Sequence, residues 1–598
     1  MLLYNLTFPN KSVCDANELY LRGGELREDG VFIKGGERVG FDTYFNCFSH
    51  IKYKKYTRVE TVVLRLNLSG KGVVTLSRYT GESAQNCTHT RTKNQAQYQM
   101  QNDKENQAQN SHIIAQNEFD GDCEISVNIA DLDDGGFLYF TIDASEDCLL
   151  KSGGWYCDLQ PDCVKIGVVI CTYKREEYVK RNLGNLTAYM NALQQSGKER
   201  FFDVFVVDNG QTLTDDFGEG ISVIANENTG GSGGFTRGMR EACENRKGEY
   251  THFLLMDDDI VFDTELLWRT YAMLGVLKDE YKNASIGGAM LILDRPYIQQ
   301  VLGDDWDGLY VKSHRKKVDV RDAREVALNE EDEKEPDYNA WFYMCMPVSS
   351  TEKYGYPLPF FIKLDDTEYG VRAAEHIVTS SGIAVWHEDF NAKYSPELEY
   401  YSRRNLLITN ARYPRHKGVF ACWKKLVYSV GRQLVLQRYF TIDLIFRACD
   451  DFLKGPDWLL NLNSAEMHAE LRKQSPAFLT ADEIKEKYGV EVDVESISER
   501  SDNEPKLTDA FALLGYLVPK CFYKRGVTQV NMMNYAPHEC ALKRKLLQFN
   551  TVTGKGFVTE IKKLPMLKAC FKMIGYFFKL AFRYRSVAKR YKAMVKLA

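Results

Sequence analysis

The chain has 598 residues, of which 44% are hydrophobic and 27% are charged. This composition is ordinary for a globular protein and excludes a fully disordered, collagen-like or polytopic membrane protein. The net charge of −5 is unevenly distributed, because residues 541–598 carry 15 Lys and Arg but one acid. We therefore expect an acidic body with a basic C-terminal tail that meets an anionic surface.

The 15 cysteines are scattered along the chain without a CxxC pair, which argues against a disulfide framework or a zinc ribbon. The N-terminus lacks the pattern of a signal peptide, and no run of 18 apolar residues is free of charge. Free thiols indicate a reducing compartment. We therefore expect a cytoplasmic protein without a transmembrane helix.

Three regions are predicted in chain order. Residues 1–158 contain short strands between Gly and Asx turns, which predicts a β-sandwich or jelly roll, with a long exposed Asn/Gln-rich insert at 84–117. Residues 159–400 alternate apolar strands with amphipathic helices, which predicts a doubly wound α/β domain with its site at the carboxyl ends of the strands. Residues 401–598 are predicted to be a helical region.

A run of three acids ends one apolar strand of the α/β domain. In an extended segment, Asp257 and Asp259 point the same way and can share one cation, while Asp258 points elsewhere. Oxygen ligands suit Mg²⁺ or Mn²⁺. The simpler interpretation is an acidic surface turn.

Two further polar groups follow apolar runs in the same domain. Asp365 and Asp366 could supply a general base whose pKa is tuned by burial and nearby charge, although an acid pair at a helix N-terminus is equally compatible with the pattern. His387 follows another strand and is a candidate third metal ligand, which would favour Mn²⁺. A histidine at such a position is more often part of the core.

The segment 228–237 (NTGGSGGFTR) lies between a strand and a helix. It matches neither the GxGxxG dinucleotide pattern nor the GxxxxGK[ST] phosphate loop. Its glycines allow the backbone to approach a ligand closely, and a helix N-terminus attracts anions. A tight turn explains the glycines equally well.

Together these motifs resemble the GT-A glycosyltransferases of family 2, and especially the cell-wall galactan galactofuranosyltransferases. The resemblance covers residues 165–410. The motifs that carry it are VICTYKR (169–175), NTGGSGGFTR (228–237), MDDDI (256–260), GGAML (287–291), GD (303–304), WFYMCMP (341–347), PLPFFIKLDDTEYGVRAAE (357–375) and WH (386–387).

This resemblance implies a role for each motif. It implies a metal ion held by Asp257, Asp259 and His387, and Asp366 as the catalytic base. The residues expected to contact the nucleotide-sugar donor are Thr172, Arg175, Asp208, Asn209, Asn228, Gly230, Gly231, Arg237 and Asp258. The residues expected to contact the acceptor or its sugars are Asp304, Trp341, Phe342, Lys363 and Asp365.

The predicted function is an inverting, metal-dependent glycosyltransferase that moves galactofuranose from UDP-galactofuranose to a cell-surface or lipid-linked glycan. Mn²⁺ or Mg²⁺ is the expected cofactor. Two alternatives stay open: the same enzyme with another donor (UDP-galactopyranose, UDP-glucose or dTDP-rhamnose), and a non-catalytic carbohydrate-binding scaffold. No nucleic-acid partner is expected, and the oligomeric state is open, a homo-oligomer included.

The basic tail contains an amphipathic pattern over residues 564–584. One helical face carries Lys568, Lys572, Lys579, Arg583 and Arg590, and the other carries Leu567, Phe571, Ile574, Phe578 and Phe582. This pattern predicts a helix in a membrane interface with its cations near anionic headgroups, on the inner face of the cell membrane. The alternative is a basic helix docked on the acidic body of the protein.

Overall fold

The computed structural model describes residues 1–81, 110–332, 334–389, 394–495, 497 and 511–594. Residues 84–109 of the predicted Asn/Gln-rich insert lie outside the described residues. Residues 111–117, which the same prediction assigned to that insert, belong to a ten-residue strand.

The N-terminal region consists of two antiparallel sheets whose buried faces contribute to one hydrophobic core. Its elements are β1 Leu2–Asn5, β2 Glu25–Arg27, β3 Gly30–Ile33, β4 Arg38–Gly40, α1 His50–Tyr56, β5 Thr61–Ser69, β6 Lys71–Tyr79, β7 Ser111–Asp120, β8 Cys123–Asn128, β9 Phe137–Ala144 and β10 Cys148–Tyr156. One sheet has the order β2-β3-β10-β5-β8 with β1 beside β10, and the other has the order β4-β9-β6-β7. Each sheet can bury one face because side chains alternate along a strand, and in β8 they alternate strictly between buried and exposed.

The central region is built on one nine-stranded mixed sheet. Its elements are β11 Ile166–Thr172, α2 Glu176–Gln195, β12 Phe202–Asp208, β13 Ile221–Ala225, α3 Gly230–Arg240, β14 His252–Asp257, α4 Glu265–Leu274, β15 Ala284–Ile292, β16 Arg295–Val301, β17 Asp304–Trp306, β18 Val311–Ser313, β19 Val318–Asp319, α5 Ala323–Glu331, β20 Met344–Pro347, α6 Ser349–Tyr354, α7 Asp365–Ala373 and β21 His376–His387. The sheet has the order β13-β12-β11-β14-β20-β15-β16-β19, with β21 parallel to β15, while β17 and β18 form a separate hairpin.

Strands β11 to β14 are parallel neighbours. Their carboxyl ends therefore meet at one edge of the sheet, where a site was expected. Strands β11, β12 and β14 consist almost entirely of buried residues, as parallel strands do when both faces of a sheet are covered.

Helix α3 begins at Gly230, inside the segment 228–237 that sequence analysis placed between a strand and a helix. Most of the glycine-rich segment is therefore helical. A Cβ at Gly238 would lie 2.2 Å from the Val169 side chain of β11. Glycine in this helix therefore permits close packing against the sheet.

The C-terminal region combines helices with a small sheet. Its elements are α8 Pro396–Arg412, α9 Val419–Val435, α10 Tyr439–Lys454, α11 Pro456–Leu460, α12 Ser464–Lys473, β22 Leu479–Thr480, α13 Ala481–Tyr488, β23 Lys524–Asn531, β24 Lys543–Asn550, β25 Lys555–Glu560 and α14 Lys563–Ala593. The sheet, in the order β22-β25-β24-β23, was not predicted. Within the described ranges, no helix has the length and apolar character needed to cross a membrane.

Candidate active site

Backbone pairing aligns the ends of three parallel strands. Thr172 at the end of β11 pairs with Asp208 at the end of β12, and its neighbour Cys171 pairs with Asp257 at the end of β14. Three polar residues named by the sequence analysis, Thr172, Asp208 and Asp257, therefore lie side by side at one edge of the sheet.

A pair of backbone hydrogen bonds brings the end of β21 to the acidic turn. The amides of Val261 and Trp386 each donate to the other residue's carbonyl oxygen at 2.8 Å. As a result, His387 Nε2 lies 3.1 Å from Asp259 Oδ1. One ligand atom each from Asp257, Asp259 and His387 lies within 4.8 Å of the others. The structure therefore brings together the three residues predicted to bind a metal.

The chemistry of these side chains fits a divalent cation. His387 Nδ1 lies 2.5 Å from the carbonyl oxygen of Glu388, which accepts a hydrogen bond only if Nδ1 carries a proton. In a neutral ring, the lone pair of Nε2 then faces Asp259, an arrangement that a shared cation stabilises. Two carboxylates and an imidazole support a divalent metal but do not distinguish Mn²⁺ from Mg²⁺.

Arg175 neutralises part of the acidic turn. Its Nη1 lies 2.9 Å from Asp258 Oδ1 and 2.6 Å from Asp259 Oδ2. Burial raises the pKa of Asp258, and the positive charge of Arg175 opposes that shift. Thr172 is buried beside the same carboxylate. Contacts of Thr172, Arg175 and Asp258 with a nucleotide stay predictions.

The second acid pair opens helix α7 and has a different environment. Burial raises the pKa of Asp365 to about 8, and the negative charge of Asp366 adds to the shift. Burial also raises the pKa of Asp366. The positive charge of Lys363 lowers both values and so opposes these shifts. A carboxyl group with a raised pKa is suited to accepting a proton near neutral pH.

Electrostatic interactions and one close approach link the two acidic groups. The charge of Asp257 contributes to the raised pKa of Asp365. Burial raises the pKa of Asp304 to about 6, and the charge of Asp366 contributes to that rise. In addition, a Cβ at Gly231 would lie 3.7 Å from Asp365 Oδ2. The glycine-rich turn, the acidic turn and the α7 acids are therefore neighbours.

Several residues predicted to bind the donor shape this edge of the sheet. The Asn209 amide nitrogen donates to the Gly230 carbonyl oxygen at 3.0 Å, and Asn228 Oδ1 accepts from the Gly230 amide at 3.2 Å. The Asp208 carboxylate accepts from three backbone amides of the following turn, those of Gly210, Thr212 and Leu213. These bonds fix the backbone where a nucleotide would lie, and direct contact with a nucleotide stays a prediction.

Three further side chains, those of Arg237, Trp341 and Phe342, were predicted to contact the donor or the acceptor. Arg237 on α3 pairs with Glu241 at 3.1 Å and is partly exposed. Trp341 and Phe342 are only 5% and 2% exposed, and Trp341 packs against Phe235 with ring centroids 5.2 Å apart. Such burial leaves little ring surface for stacking, so an acceptor platform at these residues stays a prediction.

Sequence analysis missed Tyr338 as a neighbour of the acids. Its backbone exchanges hydrogen bonds of 2.9 and 3.1 Å with Asp304. Its side chain is buried, and the charges of Asp304 and Asp366 add to the effect of burial in raising its pKa. The sequence offered no signal, because Tyr338 follows an acidic run and belongs to no recognised motif.

Two family models match the chain where these features lie. The model "Galactofuranosyltransferase 2 N-terminal" matches residues 17–158, and the model "Glycosyl transferase family 2" matches residues 167–295. With the mixed sheet and the site at its edge, these matches support a glycosyltransferase whose catalytic domain has the GT-A fold. The predicted fold class and enzyme class are confirmed.

Two curated relatives make the resemblance more specific. The chain is 29% identical over 477 residues to galactofuranosyltransferase GlfT2 of Mycobacterium tuberculosis, covering 73% of this chain and 69% of the relative. It is 27% identical over 470 residues to GlfT2 of Mycolicibacterium smegmatis, covering 73% and 68%. This chain is therefore similar to the GlfT2 galactofuranosyltransferases over most of its length.

Among solved structures, the chain shows a weak likeness to the mannosyltransferase PcManGT from Pyrobaculum calidifontis in complex with GDP-Man and Mn²⁺. The likeness has a TM-score of 0.26 and 12% identity, and it covers 53% of this chain and 82% of that one. A TM-score this low supports no conclusion about the site.

Proposed function

We propose that this protein transfers galactofuranose from UDP-galactofuranose to a cell-surface or lipid-linked glycan, with a divalent cation and with inversion at the anomeric carbon. The observation that carries the proposal is the meeting of Asp257, Asp259 and His387 beside Asp365 and Asp366. The donor sugar is inferred from the similarity to the GlfT2 proteins.

The two acidic groups support separate parts of the reaction. Asp257, Asp259 and His387 would hold the cation, which when bound supplies positive charge to the diphosphate of the leaving nucleotide. Arg237 would add a second positive charge beside that diphosphate. These residues together would stabilise the charge that develops as the anomeric C–O bond breaks.

Asp366 would act as the general base. It accepts the proton of the acceptor hydroxyl while the hydroxyl oxygen bonds to the anomeric carbon. The nucleoside diphosphate departs with the electrons of the broken bond. Direct attack requires no covalent enzyme intermediate and inverts the anomeric centre.

The proposal is tested by incubating the purified chain with UDP-galactofuranose, Mn²⁺ and a short galactofuranose-terminated acceptor. Mass spectrometry should show the acceptor extended by one or more hexose units, and NMR of the product should show the inverted configuration. An Asp366→Asn sample serves as the matched control. If the acceptor is extended only with UDP-galactopyranose, UDP-glucose or dTDP-rhamnose, the proposed donor is wrong. If no donor leads to release of its nucleoside diphosphate, a non-catalytic carbohydrate-binding scaffold is favoured.

We also propose that helix α14 rests on an anionic lipid surface. Both interpretations of its amphipathic sequence have support in the packing. Its cations contact the acidic body, since Lys572 lies 2.8 Å from Asp443 and Lys579 binds Asp450. Its apolar residues face outward and are between 48% and 81% exposed: Leu564, Leu567, Phe571, Ile574, Phe578 and Phe582.

The exposed face of α14 also carries positive charge. At the same helical spacing beyond Phe582, the exposed residues become basic, namely Arg585, Lys589 and Lys592. A helix face that combines large apolar side chains with nearby cations suits the interface of an anionic membrane. The opposite face buries Tyr584 and Tyr591, so deletion of the helix would expose the core.

Point substitutions therefore test the lipid proposal better than truncation. The triple variant Phe571→Ser, Phe578→Ser and Phe582→Ser should lose flotation with phosphatidylglycerol vesicles while transfer to a soluble acceptor continues. Ile113→Ser, at a residue 65% exposed on β7, is the control and should still float. Equal flotation of the triple variant and the wild type would contradict the proposal.

A further inference from the structure

The backbone that leads into the Asp365–Asp366 pair is strained. Phe361, Lys363 and Leu364 have positive φ angles of 72°, 71° and 59°, although none is glycine. Residues with a Cβ rarely adopt this left-handed conformation, and it persists only where the surroundings enforce it. Something must therefore hold the segment 360–364, here called the α7 approach loop.

Two fully buried side chains of helix α8 form hydrogen bonds with the backbone of this loop. The Asn405 amide nitrogen lies 3.2, 3.0 and 2.8 Å from the carbonyl oxygens of Phe360, Ile362 and Lys363. Arg404 donates from Nη2 to the Phe360 carbonyl at 2.8 Å. Both Asn405 and Arg404 are 0% exposed. Three carbonyls of one short segment thus converge on a single amide group.

Arg404 also sets the orientation of that amide. Its Nε donates to Asn405 Oδ1 at 2.9 Å, which turns the amide nitrogen of Asn405 toward the loop. The guanidinium packs over the rings of Tyr400 and Tyr401, at 5.4 and 5.2 Å from their centroids. The donor that faces the α7 approach loop is therefore held in place by packing as well as by hydrogen bonds.

The loop is held from its other side by the glycine-rich turn of α3. The Ser232 amide donates to the Phe361 carbonyl oxygen at 3.2 Å. Gly230, with φ 72°, approaches so closely that a Cβ there would lie 2.1 Å from the same oxygen. The loop is thus fixed between the predicted donor side of the site and the C-terminal region.

We propose that Asn405, oriented by Arg404, is a positioning residue that holds the left-handed α7 approach loop and thereby directs Asp366 at the acceptor hydroxyl. The proposal rests on the proposed function, because it takes Asp366 to be the base. Without Asn405, the carbonyls of Ile362 and Lys363 lose this buried donor, and the strained φ angles can relax. The acid pair begins immediately after Leu364, so relaxation would move it.

The test compares Asn405→Asp with Asn410→Asp. The aspartate is isosteric but, when ionised, donates no hydrogen bond. Asn410 is a matched control, because it is also buried on α8 and donates to two carbonyls, those of Gly308 and Lys417. We expect Asn405→Asp to lower kcat by about 10²-fold, the scale of loss when a catalytic group is misplaced by about 1 Å. UDP affinity should stay close to wild type, and Asn410→Asp should lower Tm without this loss of kcat.

A double-mutant cycle separates positioning from a general loss of structure. If Asn405 acts through Asp366, adding Asn405→Asp to Asp366→Asn should lower the residual rate no further. Additive losses, or an equal loss of kcat in Asn410→Asp, would overturn the proposal. If Asn405→Asp does not fold, Asn405→Ser keeps a small neutral side chain and is expected to show the same coupling.

Hydrogen exchange of the amides at 361–367 provides a readout that needs no activity. Faster exchange there in Asn405→Asp or Asn405→Ser, with exchange of the β11 and β14 amides unchanged, supports the role of Asn405 in holding the α7 approach loop. This result does not depend on which nucleotide sugar the enzyme uses. Unchanged exchange at 361–367 would overturn that role. If the wild type transfers no sugar but the Asn405 variants show the faster exchange at 361–367, only the proposed function is contradicted.

Discussion

The two acidic groups at the edge of the central sheet lie close together but have opposite surroundings. Asp258 and Asp259 are paired with Arg175, and His387 stands 3.1 Å from Asp259. Asp365 faces the negative charge of Asp366, whereas Lys363 and local hydrogen bonds lower the pKa of both acids. Acids next to positive and imidazole groups suit ion binding, whereas a half-buried pair of acids with raised pKa values suits proton transfer.

This difference shows how one site can use carboxylates for two tasks. The environment decides the task, because burial and neighbouring charge set the pKa of each carboxyl group. The acidic turn belongs to the end of a parallel strand, while the pair at α7 depends on a strained loop held from two sides. Separate structural supports allow the two environments to differ within a small space.

Removal of a metal ligand should have the largest effect on activity. Asp257→Ala or Asp259→Ala should abolish cation-dependent transfer, because the leaving diphosphate loses its main source of positive charge. UDP release measured across a Mn²⁺ titration checks this. Activity that survives in excess chelator would show that the acidic turn has another task.

Loss of the proposed base should have the next largest effect. Asp366→Asn should lower kcat by about 10²–10⁴-fold, the usual contribution of a general base. Donor binding, followed by calorimetry with UDP, should persist because the acidic turn is intact. Turnover at the wild-type rate would remove Asp366 from the base role and with it the contrast between the two acidic groups.

Loss of the Asp366 charge should also shift the titration of the neighbouring acid. In Asp366→Asn, Asp365 no longer faces a negative charge, so its pKa should fall below about 8. A carbon-13 NMR titration of the Asp365 carboxyl group checks this, and an unchanged or higher pKa would contradict the interaction between these residues. In the wild type the base works in its deprotonated form, so kcat rises with pH through the pKa of Asp366, along the acid limb of the pH–rate profile.

Substitution of Lys363 should have the smallest effect and the opposite sign. Lys363→Met removes a positive charge that lowers the pKa of both acids. The acid limb of the profile should therefore move to higher pH. Identical profiles for Lys363→Met and the wild type would show that this exposed lysine is too well screened to influence the pair.

The main features of the site could be predicted because they lie at the ends of strands with simple patterns. The buried run before Asp257 predicts a strand, and alternation in the chain predicts which carboxylates share a cation. The position of His387 after an apolar strand made it a candidate third ligand, and the resemblance implied the same role. Its place beside the acidic turn follows from the bridge between Val261 and Trp386, which no sequence pattern predicts.

Other features depend on tertiary contacts that leave little trace in sequence. Asn405 and Arg404 lie on a helix in the C-terminal region, with no motif that links them to the α7 approach loop. The small sheet beside the C-terminal helices was missed, since its β24 begins with KRK and its pattern alternates only weakly. The predicted domain boundaries at 158/159 and 400/401 stay predictions.

Mn²⁺ binding measured by electron paramagnetic resonance tests the central claim most directly, because it separates the two acidic groups without requiring the substrate. The account predicts one high-affinity site per chain in the wild type, lost in Asp257→Ala and in His387→Ala but retained in Asp366→Asn. Binding that survives Asp257→Ala and His387→Ala, or that disappears in Asp366→Asn alone, would contradict it.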